Sequence, residues 1–309
     1  MVLKTDAANK SDDKRRYVPY NGIYELSRKD KGMRIWKVLV FIISLSIIVF
    51  AFVLPHRNLP NIDEGVGDGS VQAYYINLDK AEDRRNAITT LLSQIGIPFE
   101  RIAAIYGKDL PKAEKDKAVN RTIFRILMQK DVLDGEIGCY LSHLKTWQEF
   151  LKSKASYALI FEDDESFTPA DLKELVNLLI ANSDKWDCVN LDPHRPGNGK
   201  VVKQISSIYT LQAPSCRVWN ASCYLINRQA AASLVRHALP IRMPLDHLLY
   251  RSWELGYKFR TVAPKIVGQI GNDTYIQQNR NREIWYLYLP AHIFRIAGQI
   301  MTIIMEYMR

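Results

Sequence analysis

The sequence predicts an α/β fold on three observations. First, residues 71–270 alternate apolar runs of strand length with segments whose apolar residues recur at helical spacing. Second, the connections between these segments are short, and the region contains neither an internal repeat nor a low-complexity tract. Third, 47% of the 309 residues are hydrophobic, which is ample material for a core. Such alternation is typical of a sheet that is parallel at least in part.

The first elements predict a β-α-β unit. The run "VQAYYINL" is a strand candidate. The segment after it, "DKAEDRRNAITTLLSQIG", carries apolar residues at helical spacing until Gly96 ends the helix. A second strand is predicted in "PFERIAAI", which completes the unit.

The same alternation continues to the end of the region. A helix in "GEIGCYLSHLKTWQEFLKS" leads into the strand "YALIFE". The next helix, "TPADLKELVNLLIAN", begins with Thr168 as N-cap and Pro169 at its first position. A strand in "WDCVNLD", a Gly- and Pro-rich loop, and a strand that turns into a helix in "CRVWNASCYLINRQAAASLVRHA" follow.

Charge and cysteine content argue against two kinds of site. The net charge is +9, but residues 1–37 hold ten of the 42 Lys and Arg against five of the 33 Asp and Glu, so the remainder is close to neutral. A reader of duplex nucleic acid normally has a basic face on its folded domain, so nucleic acid is not the expected ligand. The four cysteines form no C-x-x-C pair, so no zinc site is expected from them.

Residues 35–54 predict a transmembrane anchor. They contain the uncharged run "VLVFIISLSIIVFAFVL", which with Ile35 and Trp36 reaches the length that crosses a bilayer core. No small-residue cleavage site follows the run, so the anchor is expected to stay uncleaved. The Lys and Arg residues before it place the N-terminus in the cytoplasm and the folded domain across the membrane. The expected location is therefore a membrane, with a single N-terminal pass.

The regions around the anchor complete the predicted organisation. A polar tail, a linker, a folded domain and a C-terminal extension are expected over residues 1–34, 55–70, 71–270 and 271–309. The extension is apolar but contains Pro290, His292 and Arg295. It predicts an amphipathic helix lying at a membrane interface and not a second span.

Polar side chains directly follow three of the predicted strands, at Asn77 to Asp79, Glu162 to Glu165 and Asn190 to Asp192. In open α/β sheets, ligands bind outside the carboxyl ends of the strands, so a site is expected at these positions. Asp192 is therefore a candidate carboxylate, although an Asp-Pro pair also suits a turn.

The acidic block Glu162 to Glu165 leaves two interpretations open. In one, a solvated loop supplies negative charge to the N-terminus of the next helix. In the other, Mg²⁺ or Mn²⁺ joins crowded carboxylates that otherwise raise one another's pKa. In extended chain Glu162 and Asp164 point to the same side, with Asp163 opposite, so these two are the candidate metal ligands. Asp163 and Glu165 are then supporting residues or helix-capping charge.

Six segments, taken in order, carry a resemblance to a known family. They are "YYINLDKAEDRR", "FERIAAIYG", "GEIGCYLSHLKTW", "ALIFEDDESF", "SCYLINRQAAASLV" and "PLDHLLY", and they extend over roughly residues 72–269. Through them the chain resembles glycosyltransferase family 25, which contains bacterial lipooligosaccharide glycosyltransferases and animal collagen galactosyltransferases. The resemblance implies a GT-A-like, Rossmann-type domain that binds a nucleotide sugar and performs metal-dependent transfer to a hydroxyl group.

The resemblance also implies roles for individual positions. Glu162 and Asp164 align with the acidic metal motif of the family, which here reads Glu-x-Asp in place of Asp-x-Asp. Asp246 matches an acidic residue that follows a proline, and it is the candidate carboxylate on the acceptor side, as general base or supporting group. The residues expected to bind the donor are Asn77, Arg84, Arg85, Gly138, Ser142 and His143.

The implied reaction is displacement at the anomeric carbon of a nucleotide sugar, with UDP-galactose as the leading donor. The acceptor is a hydroxyl of a glycan or glycolipid, in the synthesis of lipopolysaccharide, lipooligosaccharide or another surface glycan. Mn²⁺ or Mg²⁺ would neutralise charge on the departing diphosphate. For a bacterial enzyme the cytosolic donor supply favours the cytoplasmic face of the inner membrane, whereas the charge bias favours the outside or a lumen.

Two other classes of protein stay open. One is a membrane-anchored binding protein that keeps the fold but has lost turnover. The other is a metal-dependent phosphohydrolase, which the six scattered histidines do not favour. At single positions, a solvated helix face stays open for Arg84 and Arg85, and a purely structural role stays open for His143.

Overall fold

The computed structural model describes residues 36–37, 40, 61–194, 197, 199–216, 218, 220–270 and 287–308. The chain divides into two compact units, Met1–Ile43 and Ser44–Arg309. Of the first unit only Trp36, Lys37 and Val40 are described, and they are helical. The second unit carries all the elements that follow.

Ten strands and nine α-helices make up the described part of the second unit. The strands are β1 (Val71–Asn77), β2 (Phe99–Ala103), β3 (Tyr157–Glu162), β4 (Glu165–Phe167), β5 (Cys188–Asn190), β6 (Gly199–Gln204), β7 (Thr210–Pro214), β8 (Cys223–Asn227), β9 (Phe259–Ala263) and β10 (Val267–Gln269). The helices are α1 (Glu82–Leu92), α2 (Lys112–Ala118), α3 (Arg121–Met128), α4 (Asp134–Lys152), α5 (Pro169–Ile180), α6 (Arg228–His237), α7 (Leu245–Tyr250), α8 (Ser252–Leu255) and α9 (Tyr288–Met308).

Eight of the strands form one sheet in the order β2-β1-β3-β8-β5-β9-β7-β6. Strand β1 pairs in parallel with both β2 and β3, and β5 pairs in parallel with β9. Strand β8 runs antiparallel to both of its neighbours, β3 and β5. The predicted α/β class and the partly parallel sheet are therefore confirmed, with a reversed strand at the centre.

The core lies on both faces of this sheet because buried strand residues alternate in direction. In β1, Tyr74 and Ile76 join a hydrophobic cluster that includes residues of α4 and α6. Ala73 and Tyr75 join a second cluster that includes residues of α1 and α5. Strand β1 is thus covered on both faces, which explains its near-continuous apolar sequence.

The acidic block does not continue strand β3 as extended chain. Asp163 and Asp164 form a turn, and Glu165 opens the short strand β4, which pairs antiparallel with β10. The alternation argument for Glu162 and Asp164 therefore does not apply. Helix α5 does begin at Pro169 as predicted, but the Thr168 side chain makes no capping hydrogen bond within the described region.

The segment 61–70, predicted as part of the linker, lies along the folded domain. The Asp68 amide donates to the Lys154 carbonyl at 2.9 Å, and the Gly69 amide donates to Ser156 Oγ at 2.7 Å. Arg228, the first residue of α6, donates from Nε to the Glu64 carbonyl. Hydrogen bonds to backbone and side chains therefore hold this segment in place.

The predicted single-pass membrane location is contradicted by the described helices. None of them is long and apolar enough to cross a membrane. Apart from three helical positions, the predicted anchor at residues 35–54 lies outside the described residues. Helix α9 buries Ala291, Phe294 and Thr302 against the fold, whereas Ile296 and Ile300 are exposed.

Candidate functional site

A solvent-open cleft lies at the carboxyl ends of β1, β2 and β3. Its floor is formed by the first half of α4, and one wall is the loop 104–107 after β2. The position agrees with the general rule that ligands bind at the carboxyl edge of an open α/β sheet. The candidate residues that line it are Arg84, Ser142, His143, Glu162, Asp163 and Asp164.

Arg84 and Asn77 hold the turn of the acidic block. Arg84 Nη1 lies 3.1 Å from Asp163 Oδ1 and 3.4 Å from Asp164 Oδ2. Asn77 Nδ2 donates to Asp163 Oδ2 at 2.7 Å and to the Ala81 carbonyl at 3.0 Å, and Asn77 Oδ1 accepts from Arg101 Nε. Asn77 is buried and its amide is fully used. The geometry of Asn77 therefore suits positioning of Asp163 better than the predicted contact with a nucleotide-sugar donor.

The pKa values of the two candidate metal ligands are shifted in opposite directions. Burial raises the pKa of Glu162, but contacts with His143 and Cys139 and the charge of Arg84 outweigh it, so the net shift of the pKa is downward. Burial and the neighbouring Glu162 carboxylate raise the pKa of Asp164 to about 6. Arg84 thus compensates the acidic turn only in part, and the turn keeps an excess of negative charge.

Glu165 is buried behind this turn instead of capping the next helix. It is 1% exposed, and no described residue hydrogen-bonds either of its carboxyl oxygens. Burial raises its pKa to about 9; the nearby Ser222 side chain opposes this shift, and the charges of Asp192, Glu162 and Asp164 add to it. The helix-capping interpretation of Glu165 is therefore wrong, because strand pairing of β4 carries its side chain inward.

Asp192 lies at the same edge of the sheet but is already paired with Lys265. Its Oδ1 is 2.8 Å from Lys265 Nζ, and its Oδ2 accepts hydrogen bonds from Asn220 Nδ2 and Ser222 Oγ. The Asp192 amide donates to Asn190 Oδ1, so the residue also makes a local turn. The described lining of the cleft does not include Asp192, and its contacts suit the turn alternative.

Gly138 and Ser142 hold the loop 104–107 against helix α4. Ser142 Oγ accepts from the Ile105 amide at 2.8 Å and donates to the Gly138 carbonyl at 2.7 Å. A Cβ atom at Gly138 would overlap the Ile105 carbonyl oxygen and lie 2.6 Å from the Gly107 amide nitrogen. The glycine therefore permits close approach, as expected, but it is the chain's own loop that approaches.

Gly138→Ala is expected to lower the free energy of unfolding by about 1–3 kcal/mol, because the loop must move away from α4. Urea denaturation of both proteins measures the difference. The matched control is Gly268→Ala, where the nearest atom to the new Cβ is Ser166 Oγ at 3.8 Å. Equal losses for the two variants would contradict the close-packing role of Gly138.

Cys139 is a cleft residue that the sequence interpretation missed. It precedes His143 by four residues on α4, so the two side chains share one face of the helix. Cys139 Sγ lies 3.6 Å from Glu162 Oε1, and His143 Nε2 lies 3.5 Å from the same oxygen. The available signal was the Cys-x-x-x-His spacing on a helix that leads into the acidic strand.

Two predicted site residues lie away from the described cleft lining. Arg85 pairs with Glu82 at 3.4 Å on the surface of α1. Asp246 is the second residue of α7, and its Oδ1 accepts from the His247 amide. Burial raises the pKa of the Cys139 thiol, with contributions from Glu162 and then from Asp246. Asp246 is therefore close enough to act on the cleft electrostatically, whereas Arg85 is not brought to it.

The carboxylate oxygens at the acidic turn are suitable ligands for a hard divalent cation. Asp164 Oδ1 is buried and has no hydrogen-bond partner among the described residues. A buried, unsatisfied carboxylate oxygen with a raised pKa is costly unless a cation or proton joins it. Carboxylate oxygens are the ligands that Mg²⁺ and Mn²⁺ prefer, and Glu162 supplies a second one in the same cleft.

Three similar proteins share about a quarter of their residues with the matched region. Procollagen galactosyltransferase 1-A of Xenopus laevis is 26% identical over 58% of this chain, and human procollagen galactosyltransferase 2 is 26% identical over 59%. The probable inactive glycosyltransferase 25 family member 3 of Bos taurus is 25% identical over 59%. This chain spans about 30% of the length of each of these relatives.

Among solved structures, S. aureus TarS 1-349 is similar, with a TM-score of 0.36 and 11% identity, over 64% of this chain and 59% of that one. A similarity at this level carries no argument about fold or function. The sequence pattern of glycosyltransferase family 25 (LPS biosynthesis protein), by contrast, matches residues 71–249, which extend from β1 to α7 and enclose the whole cleft. The resemblance in the six segments is thereby confirmed, and the chain belongs to glycosyltransferase family 25.

Proposed function

We propose that the protein transfers a hexose, with galactose favoured, from a nucleotide sugar to a hydroxyl of a glycan in a metal-dependent reaction. The observation that carries the proposal is the pair Glu162 and Asp164 in the cleft, with the unsatisfied Asp164 Oδ1. Family membership supports a nucleotide-sugar donor, and the two procollagen galactosyltransferases among the relatives support galactose. The family description supports a lipopolysaccharide or related surface glycan as acceptor.

In this proposal Glu162 and Asp164 would hold a divalent cation, which when bound supplies positive charge against the departing diphosphate. Arg84 lies beside both aspartates of the turn and restricts where the Asp164 carboxylate can go. Ser142 fixes the backbone of the loop 104–107, so one wall of the donor cleft is held in place before the substrate arrives.

Asp246 is proposed as the base on the acceptor side. The acceptor oxygen forms a bond to the anomeric carbon while the bond from that carbon to the phosphate oxygen breaks, and the hydroxyl proton passes to the Asp246 carboxylate. If the transfer follows this single displacement, the anomeric configuration inverts. Asp246 is partly exposed in the first turn of α7, which leaves its carboxylate accessible to an acceptor.

The test is transfer or slow hydrolysis of nucleotide sugars by the purified protein with Mn²⁺. Glu162→Gln combined with Asp164→Asn is expected to lower kcat/KM by about 10³-fold or more, because charge stabilisation of the leaving group is lost. The matched control is Asp171→Asn with Glu174→Gln, which removes the same charge from exposed positions of α5. Unchanged activity in the first double variant would place the metal elsewhere or remove it from the reaction.

The second candidate function is a binding protein of the same fold without turnover. One of the relatives is described as probably inactive, which supports keeping this alternative. It predicts that folded wild-type protein hydrolyses no donor from a panel of nucleotide sugars, yet shows a thermal shift with one of them. Donor hydrolysis above the level of the Glu162→Gln, Asp164→Asn protein excludes it.

A further inference from the structure

Three different donor atoms converge at the junction of α4 and β3. They are Cys139 Sγ, His143 Nε2 and a carboxylate oxygen of Glu162, and all lie within 4.8 Å of one another. The two helical residues are four apart and face the end of β3, where Glu162 is the last residue. The set combines one sulfur, one nitrogen and one oxygen, whereas the acidic turn offers oxygen alone.

The surroundings of the His143 ring also support a metal ion at this position. Its ring is buried, and Nε2 makes no hydrogen bond of ordinary length among the described residues, since its neighbour Glu162 Oε1 lies 3.5 Å away. Its other nitrogen, Nδ1, lies 2.9 Å from the Tyr224 hydroxyl, which also accepts from Trp147 Nε1 at 2.8 Å. A hydrogen bond at one ring nitrogen that orients the other toward a ligand is the usual arrangement of a metal-binding histidine.

Two of the three separations between these ligand atoms also fit a tetrahedral cation, and the third is below 4.8 Å. Zinc binds Cys sulfur at about 2.3 Å and His nitrogen or carboxylate oxygen at about 2.0–2.2 Å, so neighbouring ligand atoms lie about 3.3–3.7 Å apart. The sulfur-to-oxygen distance here is 3.6 Å and the nitrogen-to-oxygen distance is 3.5 Å. The second distance is long for a hydrogen bond but suits two ligands of one ion.

We propose that Cys139, His143 and Glu162 form a second metal site that selects a thiophilic divalent cation such as Zn²⁺. Three protein ligands leave a fourth position, and that position opens into the cleft. On binding, the Cys139 thiol releases its proton to solvent and its sulfur bonds to the cation. Mg²⁺ is excluded because it avoids sulfur.

The two metal sites share one carboxylate. Glu162 belongs to this site and also to the proposed pair with Asp164, so occupation of the thiophilic site withdraws a ligand from the other. Zn²⁺ is therefore expected to inhibit transfer. This consequence rests on the proposed function, but the binding of the cation itself does not.

The test is titration of the chelator-treated protein with Co²⁺, which replaces Zn²⁺ and reports its ligands by absorption. We expect a sulfur-to-cobalt charge-transfer band that saturates at one equivalent and disappears when Zn²⁺ is added but not when Mg²⁺ is added. Cys139→Ser is expected to abolish the band. The matched control is Cys216→Ser, which removes a partly exposed cysteine outside the cleft and should leave the band unchanged.

A second measurement keeps the inference testable if Cys139→Ser folds poorly. His143→Asn is expected to weaken Zn²⁺ binding, followed by competition with a coloured chelator, by more than about 100-fold, beyond the usual effect of losing an outer-shell group. Asp164→Asn should keep the cobalt band although it removes the other site. Absence of the band in the wild type, or its survival in Cys139→Ser, overturns the proposal whether or not the protein transfers sugar.

Discussion

Glu165→Gln is expected to remove most of the pH dependence of stability of the chelator-treated protein between about pH 5 and pH 9. The folded carboxyl group has a pKa of about 9 against an ordinary value of 4.5. Between these values the folded state binds one proton more than the unfolded state, so stability falls as pH rises. The full difference corresponds to roughly 6 kcal/mol, an upper value because water reaching the carboxylate reduces it.

The sign of this effect distinguishes Glu165 from a paired carboxylate. A carboxylate in a salt bridge stabilises the folded state at neutral pH and loses that contribution in acid. Glu165 does the opposite, because its neutral form suits a buried site beside other carboxylates and its ionised form does not. Glutamine has nearly the same shape and no charge, so the variant should match the wild type near pH 5 and exceed its stability near pH 9.

Urea denaturation across a pH series measures the difference. Glu174→Gln, an exposed position on α5, is the control and should retain the wild-type slope. In Glu165→Gln the free energy of unfolding should still fall slightly between about pH 4 and pH 6, because the pKa of Asp164 is itself raised to about 6. Parallel curves for Glu165→Gln and the wild type would show that Glu165 is ionised or hydrated in solution.

Arg228→Met is expected to lower the free energy of unfolding by about 3–5 kcal/mol, because buried carbonyl oxygens lose a charged donor. Arg228 is buried, and Nη1 donates to Ser153 and Ala155 carbonyls at 3.0 Å each, while Nη2 donates to the Leu151 carbonyl at 2.6 Å. These carbonyls lie at and just beyond the end of α4, where a cation is also favoured by the helix dipole.

The control for Arg228 lies on the same helix. Arg236 reaches Glu64 Oε1 at 3.4 Å from a partly exposed position, and Arg236→Met should cost at most about 1 kcal/mol. Arg228→Lys keeps the charge but not the forked guanidinium, so its loss of unfolding free energy should lie between those of Arg236→Met and Arg228→Met. Hydrogen exchange should show the last turn of α4 opening first in Arg228→Met. Similar stability for the Arg228→Met and Arg236→Met proteins would contradict the role given to Arg228.

Local sequence patterns were sufficient to predict the elements that bring the acidic turn to the sheet edge. The periodic apolar residues predicted β1, α1 and β2, and Pro169 predicted the start of α5. The direction of β8 could not be predicted, because it depends on pairing with β3, more than sixty residues away. No local pattern indicated the β6–β7 pair, because β6 is largely exposed and neither strand has a continuous apolar run.

The acidic residues show the same division between local and long-range information. Glu162 was placed at a strand end correctly, since five apolar or small residues precede it in β3. The burial of Glu165 follows from pairing of β4 with β10, about a hundred residues later, and no local pattern indicates it. The contacts of Arg84 with Asp163 and of Cys139 with Glu162 likewise cross between distant segments.

The reversed strand at the centre of the sheet determines how the chain can be divided. Strand β3 pairs with β8 along Tyr157–Phe161, and the Glu162 amide donates to the Ser222 carbonyl just before β8 begins. A fragment that stops before residue 223 would therefore leave β3 as an open edge of mostly apolar residues, a surface prone to strand-to-strand aggregation. The part of the chain before β8 and the part that contains it could therefore not be produced separately, because β3 and β5 both pair with β8.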